Sequence, residues 1–222
     1  MLRRLALVAV LALTACTAQP DPPTPSPTPT VVPLSVAQGT KAALTVADLP
    51  KGWDDGVAPD PIPTLRLPIT YTPAECRLLR DPLRDRATPA TSIRGQYFHR
   101  AADQNVDKDA TEVIASWPTP QLSLLRQIAA ALPRCKTYAG VLDGESYRLF
   151  ARELPVPGLR DGIALRFGDP NDPTLKSGTY SGYVVRGGTV LALRADSDTF
   201  TTDAAFIRFL TTAVARLDAA IG

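Results

Sequence analysis

The stretch TYSGYVVRGGTVLALRA, residues 179–195, decides the fold. Two runs rich in β-branched and aromatic residues, Thr179–Arg186 and Thr189–Ala195, flank the dipeptide Gly187-Gly188. A two-residue Gly-Gly connection suits the tight turn between antiparallel strands, because both positions can take positive φ without a Cβ clash. The segment therefore predicts a hairpin, and with it a sheet built from sequential neighbours.

Working toward the N-terminus, Tyr147–Leu154 and Ile163–Phe167 read as further strands, the second with Ile163, Leu165 and Phe167 on one face. In the other direction, Asp203–Ile221 reads as an amphipathic helix. Thr202 supplies its N-cap, and Ile207, Leu210, Val214, Leu217 and Ile221 form a stripe that packs on the sheet. The first half carries Pro73 to about Arg86 as a short helix, with Leu78, Leu79 and Leu83 as its apolar contacts. Ser92–Arg100 alternates like a strand, placing Ile93, Tyr97 and His99 on one side, and Thr111–Trp117 is a second, weaker strand. Pro118 and Pro120 then introduce a helix over Gln121–Leu132, whose Leu122, Leu125, Ile128, Ala129 and Leu132 recur at helical spacing. Helix, two strands, helix, four strands, helix predicts an α+β fold. Its mostly antiparallel sheet carries helices packed on one face, a two-layer sandwich. The other face is then partly solvated or lines a groove, and is the place to look for a ligand.

The first sixteen residues speak to the compartment. Arg3 and Arg4 precede an apolar run, Leu5–Leu13, too short to span a bilayer as a permanent helix. Residues 1–15 read as a signal peptide. The run ends in Leu13-Thr14-Ala15-Cys16, which resembles the lipobox of bacterial lipoproteins. There the cysteine thiol takes a diacylglyceryl group, with fatty chains such as palmitate, and becomes the new N-terminus. More than one chain is needed, because each buried methylene contributes only ~0.8 kcal/mol and a single chain attaches reversibly. Cys16 is thus the expected lipidation site, and the cell membrane, on its extracytoplasmic face, the expected location. Residues 17–33, TAQPDPPTPSPTPTVVP, hold seven of the chain's 22 prolines. Proline at that density favours extended polyproline II, so the stretch reads as a stalk reaching roughly 50 Å from the membrane. Its Thr and Ser residues either carry O-linked sugars or are plain spacer. Residues 34–222 have the length of one domain and show no internal repeat.

Charge excludes one class of partner. Arg3 and Arg4 leave with the leader, so 22 basic residues remain against 22 acidic ones. A balanced chain without a basic stripe offers no footprint for nucleic acid. Cys76 and Cys135 are the two cysteines besides Cys16. In an oxidising compartment they read as a disulfide tying two helices together, the alternative being a pair of buried free thiols.

Catalytic signals are few. Lys176-Ser177-Gly178 matches the K-[ST]-G element of serine β-lactamases, yet no serine has lysine three residues on to supply the nucleophile. Asp169, Asn171 and Asp172 offer oxygen ligands but lack the central Gly and distal Glu of a calcium loop, and read as a turn. The chain's one histidine, His99, lies on a strand beside Tyr97 and reads as structural. With no CxxC, a metal site is not expected. Trp53 and Trp117 read as packing residues. No catalytic residue, cofactor or metal ligand is assigned.

With these elements in place, the domain resembles the PknH-like extracellular sensor domains of actinobacteria, found on receptor kinases and as stand-alone lipoproteins. Four features carry the likeness: the opening Leu44-Thr45-Val46-Ala47-Asp48-Leu49-Pro50-Lys51-Gly52-Trp53; Cys76 in the first helix; the run from Ala115-Ser116-Trp117 through Cys135; and Arg186-Gly187-Gly188-Thr189-Val190-Leu191 followed by a terminal helix. The likeness spans Leu44–Ala220. Some members have two disulfides where this chain can form one. The resemblance implies a sensor-like domain that binds a ligand in the cell envelope, without transferring individual binding residues. The expected function is therefore non-enzymatic binding of a small molecule or envelope component. With no kinase domain in these residues, any signal would pass through a protein partner. The rival readings are a protein-interaction or structural module and a hydrolase.

Overall fold

The Gly187-Gly188 connection closes the hairpin that the alternation predicts, with Arg186 opposite Thr189 and Thr179 opposite Asp196. The two glycines serve different ends. Gly187 takes a positive φ of 58°. Gly188 does not, correcting the expectation for both; a Cβ there would lie 2.2 Å from the Trp117 carbonyl oxygen, so this glycine makes room for neighbouring backbone.

The computed structural model describes residues 30–49, 51–59, 69–99, 108–172, 178–196, 199–200 and 202–222. In chain order these form α1 (Val36–Ala42), β1 (Trp53–Pro59), β2 (Thr70–Thr72), α2 (Arg77–Arg80), β3 (Thr91–His99), β4 (Lys108–Ser116), α3 (Ser123–Ala131), β5 (Thr137–Leu142), β6 (Glu145–Leu154), β7 (Gly162–Gly168), β8 (Gly178–Arg186), β9 (Thr189–Asp196) and α4 (Asp203–Ile221). The strands join one antiparallel sheet in the order β1-β3-β4-β9-β8-β7-β6-β5-β2. The α+β class, the antiparallel sheet and the Cys76–Cys135 disulfide agree with expectation. Cys16, the signal peptide, most of the stalk and Lys176-Ser177 lie outside the described residues.

The helices divide between the two sheet faces rather than sharing one. Along β8, Tyr180, Gly182 and Val184 point toward α4: the Tyr180 and Phe206 rings stack at 4.8 Å, and Leu210 fills the space a side chain at Gly182 would take. Tyr183 and Val185 point the other way, into a second core with Leu79 of α2 and Leu124 and Ile128 of α3. The physical cause is apolar residues at both parities of the central strands, Val184 beside Val185 and Val190 beside Leu191. A sheet that is apolar on both sides must be covered on both.

Helix details differ for local reasons. The predicted helix from Pro73 is a 3₁₀ turn, Ala74–Cys76, running into the four residues of α2. It stops at Asp81 because Pro82 follows, and a residue before proline is pushed out of the helical region. In α3 the buried row is Leu124, Ile128 and Ala131; Leu122, at the N-cap, is 44% exposed and Ala129 faces solvent. In α4, Thr202 caps as expected, its hydroxyl accepting from the Ala205 N–H at 3.2 Å. The buried row there is Phe206, Phe209, Leu210, Ala213 and Leu217, turned from the predicted stripe so that Ile221 is 43% exposed. The phenylalanines set that rotation: Phe209 meets Tyr97 edge-on and Phe200 at 5.0 Å.

The start of the domain is stitched to one end of the sheet. The Val31 N–H donates to the Pro118 carbonyl, and the Leu34 N–H to Ser116 Oγ, each at 3.0 Å. Thr91 Oγ1 donates to the Leu34 carbonyl at 2.5 Å, and Ser116 in turn meets Thr189 at 2.9 Å. Further on, Thr45 and Asp48 form a capping box, and Arg216 of α4 pairs with Asp48 at 3.1 Å. The opening motif thus works as a clasp between α1 and α4.

Candidate functional site

On the face opposite α4, the short helices α2 and α3 do not cover the whole sheet. Beyond them β3, β4 and β9 form the floor of a groove of about 460 Å³, within the range of small-molecule sites. Strand register builds that floor. Arg94 opposes Val113, which opposes Ala192; two residues along, Gln96 opposes Thr111, which opposes Arg194. The segment from Arg77 to Arg84 forms the wall, with Tyr71 and Tyr183 at its side.

The wall is fixed to the floor and to α3. The Tyr183 hydroxyl donates to the Leu79 carbonyl at 3.0 Å. Burial pushes that phenol up to about 12, so it stays a donor, although the nearby charges of Arg80 and Arg194 pull the other way. The disulfide links the wall at Cys76 to Cys135 beyond α3, with 5.5 Å between their Cα atoms. Arg80 lays its guanidinium 4.6 Å from the centre of the Phe167 ring.

Charges in the groove are uneven. Five arginines and three aspartates line it. Arg77 pairs with Asp85, outside the lining. Asp109 and Asp196 lie together at one end; burial and then the Asp196 carboxylate raise the Asp109 pKa, against the nearby charge of Arg194.

A second polar cluster lies under the opposite face and does not reach the groove. Glu112 is 1% exposed, its Oε2 accepting from the Tyr97 hydroxyl at 2.5 Å and from the Leu44 N–H at 3.0 Å. Burial pushes its pKa up to about 7, although the two hydrogen bonds and Arg216 act to lower it. Enclosure among Leu44, Tyr97 and α4 makes it a structural clasp.

The residues singled out from sequence fall as follows. Cys76 and Cys135 are joined, buried, at the groove wall. His99 ends β3, at the strand end away from the Ser116 clasp. Trp53 packs against Phe200 and Trp117 donates its indole N–H to the Ala87 carbonyl at 2.6 Å, so both are packing residues. Asp169 accepts from the Asn171 N–H at 2.8 Å, the turn expected there. The helix-free sheet face expected to hold a groove is not present; the groove lies instead where α2 and α3 leave their face uncovered, and its arginines were not foreseen. Their trace in the sequence is weak: Arg77, Arg80 and Arg84 spaced for one helix side, and the alternations Arg94-Gly95-Gln96 and Arg194-Ala195-Asp196. Among the described residues no helix is long and apolar enough to cross a membrane.

No protein-family model matches the chain, nor does any curated protein sequence. Its structure is similar to that of the extracellular domain of PknH from Mycobacterium tuberculosis, with a TM-score of 0.61 at 13% identity over 85% of this chain and 97% of that one. An uncharacterised protein of Mycobacterium smegmatis, the Rv0999 ortholog, aligns at a TM-score of 0.44 and 13% identity, over 80% and 95% of the two chains. The chain shares the fold of the PknH extracellular domain. That is the fold the four sequence features implied.

Proposed function

We propose that this chain is a cell-envelope lipoprotein, held on the extracytoplasmic face of the membrane through Cys16, whose groove binds a small molecule or envelope component without transforming it. One observation carries the reading: a groove of about 460 Å³, floored by open sheet and walled by a disulfide-tied segment. Such a site is preformed, so a ligand need not pay to order it. Its placement supports the same reading. The stalk enters at the Ser116 and Thr189 end of the sheet, whereas Asp109 and Asp196 at the groove's far end lie seven residues along their strands, roughly 23 Å away. The carboxylate end of the groove therefore lies at the opposite strand end from the segment that enters the domain at Leu34. Sharing a fold with an extracellular kinase domain fits an exported binding module, and a protein partner would carry any signal inward.

Thermal unfolding of the full chain across a panel of cell-wall fragments and lipids tests this. At least one compound should raise the melting temperature, and Ala192→Trp, which places an indole on the groove floor, should abolish the rise. A flat response to every compound would overturn the reading.

A further inference from the structure

We infer that the groove selects an organic anion, a phosphate or carboxylate group met by Arg80 and Arg194 and joined to an apolar body lying on Val113, Ala192 and Tyr71. The inference rests on the groove being a binding site and goes on to name its ligand class.

Arg134, Arg152, Arg166, Arg186 and Arg216 each form an ion pair with a carboxylate. Within the groove Arg77 does the same with Asp85. Arg80, Arg84 and Arg194 also line the groove, and among the described residues none of the three has a carboxylate within salt-bridge distance; of these, Arg80 and Arg194 lie on its tyrosine side. Both guanidinium groups lie near the same two phenols, Tyr138 and Tyr183, and lower the pKa of each against the effect of burial. Two unpaired cations thus converge on one side of a concave surface, where low-dielectric walls strengthen their field.

Guanidinium is suited to this role. Its planar fork matches the oxygens of a carboxylate or phosphate, and such charge-assisted bonds are the strong ones. Arg80 is held in place by the Phe167 ring beneath it, so little freedom is lost when an anion arrives. The aspartates add selectivity. Asp81 feels the charges of Arg84, Arg77 and Arg194, and Asp109 those of Asp196 and Arg194, so the carboxylates repel an anion from that side of Arg194 and leave it the side toward the tyrosines. The remaining floor, Val113 and Ala192 with Tyr71 at the edge, is apolar and fits a ring or short chain.

Calorimetric titration of the full chain in a non-ionic detergent tests the inference with two matched pairs. Phenyl phosphate is compared with phenyl β-glucoside, and dihexanoyl phosphatidic acid with dihexanoyl phosphatidylcholine. The anionic member of at least one pair should bind more tightly, and Arg80→Gln or Arg194→Gln should weaken it by about ten- to a hundredfold. Binding of both anions points to a soluble source, binding of the phosphatidic acid alone to a lipid headgroup, and either supports the inference. Equal binding of neutral and anionic probes, binding of neither anion, or no change in the arginine variants would overturn it. If a neutral probe binds and Ala192→Trp stops it, the anion is disproved while the groove stands.

Discussion

Tyr97 donates its hydroxyl to Glu112 at 2.5 Å, and the pair closes over the backbone of Leu44, whose N–H donates to the same carboxylate oxygen. The tyrosine reaches it by folding back over Gly95: a Cβ there would sit 2.1 Å from the hydroxyl oxygen. A polar pair in the middle of an apolar layer thus holds the first segment of the domain onto the sheet. Removing one partner alone would leave a buried group unsatisfied, at a cost of about 1–3 kcal/mol.

That clasp predicts a pH dependence with a definite sign. Unfolded, Glu112 titrates near its ordinary value of 4.5; folded, burial pushes it up to about 7. Between those values the folded state binds the extra proton, so stability falls as pH rises, by up to about 3 kcal/mol, and levels off above 7. Glu112→Gln keeps an acceptor for both donors and cannot titrate. Urea unfolding of variant and wild type should show a difference that grows from pH 4.5 to 7.5 in the variant's favour. A constant difference would count against the assignment.

The disulfide closes a loop spanning 59 positions. On the chain-entropy model such a closure stabilises by about 4 kcal/mol. The double variant Cys76→Ser/Cys135→Ser should melt well below the wild type, and a reducing agent should lower the wild type but not the variant. Equal melting temperatures under non-reducing conditions would refute the contribution.

The two turn glycines should respond differently to alanine. Gly187→Ala puts a side chain at a positive φ and should cost about 1 kcal/mol. Gly188→Ala drives a Cβ against the Trp117 carbonyl, a backbone atom that cannot rotate away, and should cost at least about 2 kcal/mol. Denaturant midpoints of the two variants give the order directly; the reverse order would show that the 117–119 backbone yields easily.

For the anchor, Cys16→Ser removes the thiol that would carry the lipid. The variant should leave the membrane fraction for the soluble one and lose incorporation of labelled palmitate. Retention with membranes at wild-type levels would disprove lipid anchoring at that position.

Much of the scaffold was legible because its signals are local. The strands at 147–154, 163–167, 179–186 and 189–195, and the capped helix from Asp203, follow from alternation, glycine placement and a 3.6-residue period, all read within short windows. Four elements, α1, β1, β2 and β5, left no such signal. The β1 residues WDDGVAP show no apolar alternation, and hold a strand only through their ladder with β3. The same is true of β2 against β5, a three-residue pairing. The short α1 shows itself mainly in its Ser35 and Gln38 capping box.

By itself, then, the amino-acid order determined the class, the central hairpin, the terminal helix and which two thiols could pair. Tertiary structure alone decided how the helices divide between the faces, that Glu112 is buried against Tyr97, and that Arg80 and Arg194 share one groove. The reason is distance along the chain. Arg80 and Arg194 stand more than a hundred positions apart and meet only because the sheet order sets β9 beside β4 and the disulfide holds α2 above them. Propensity and periodicity carry no information across such a separation.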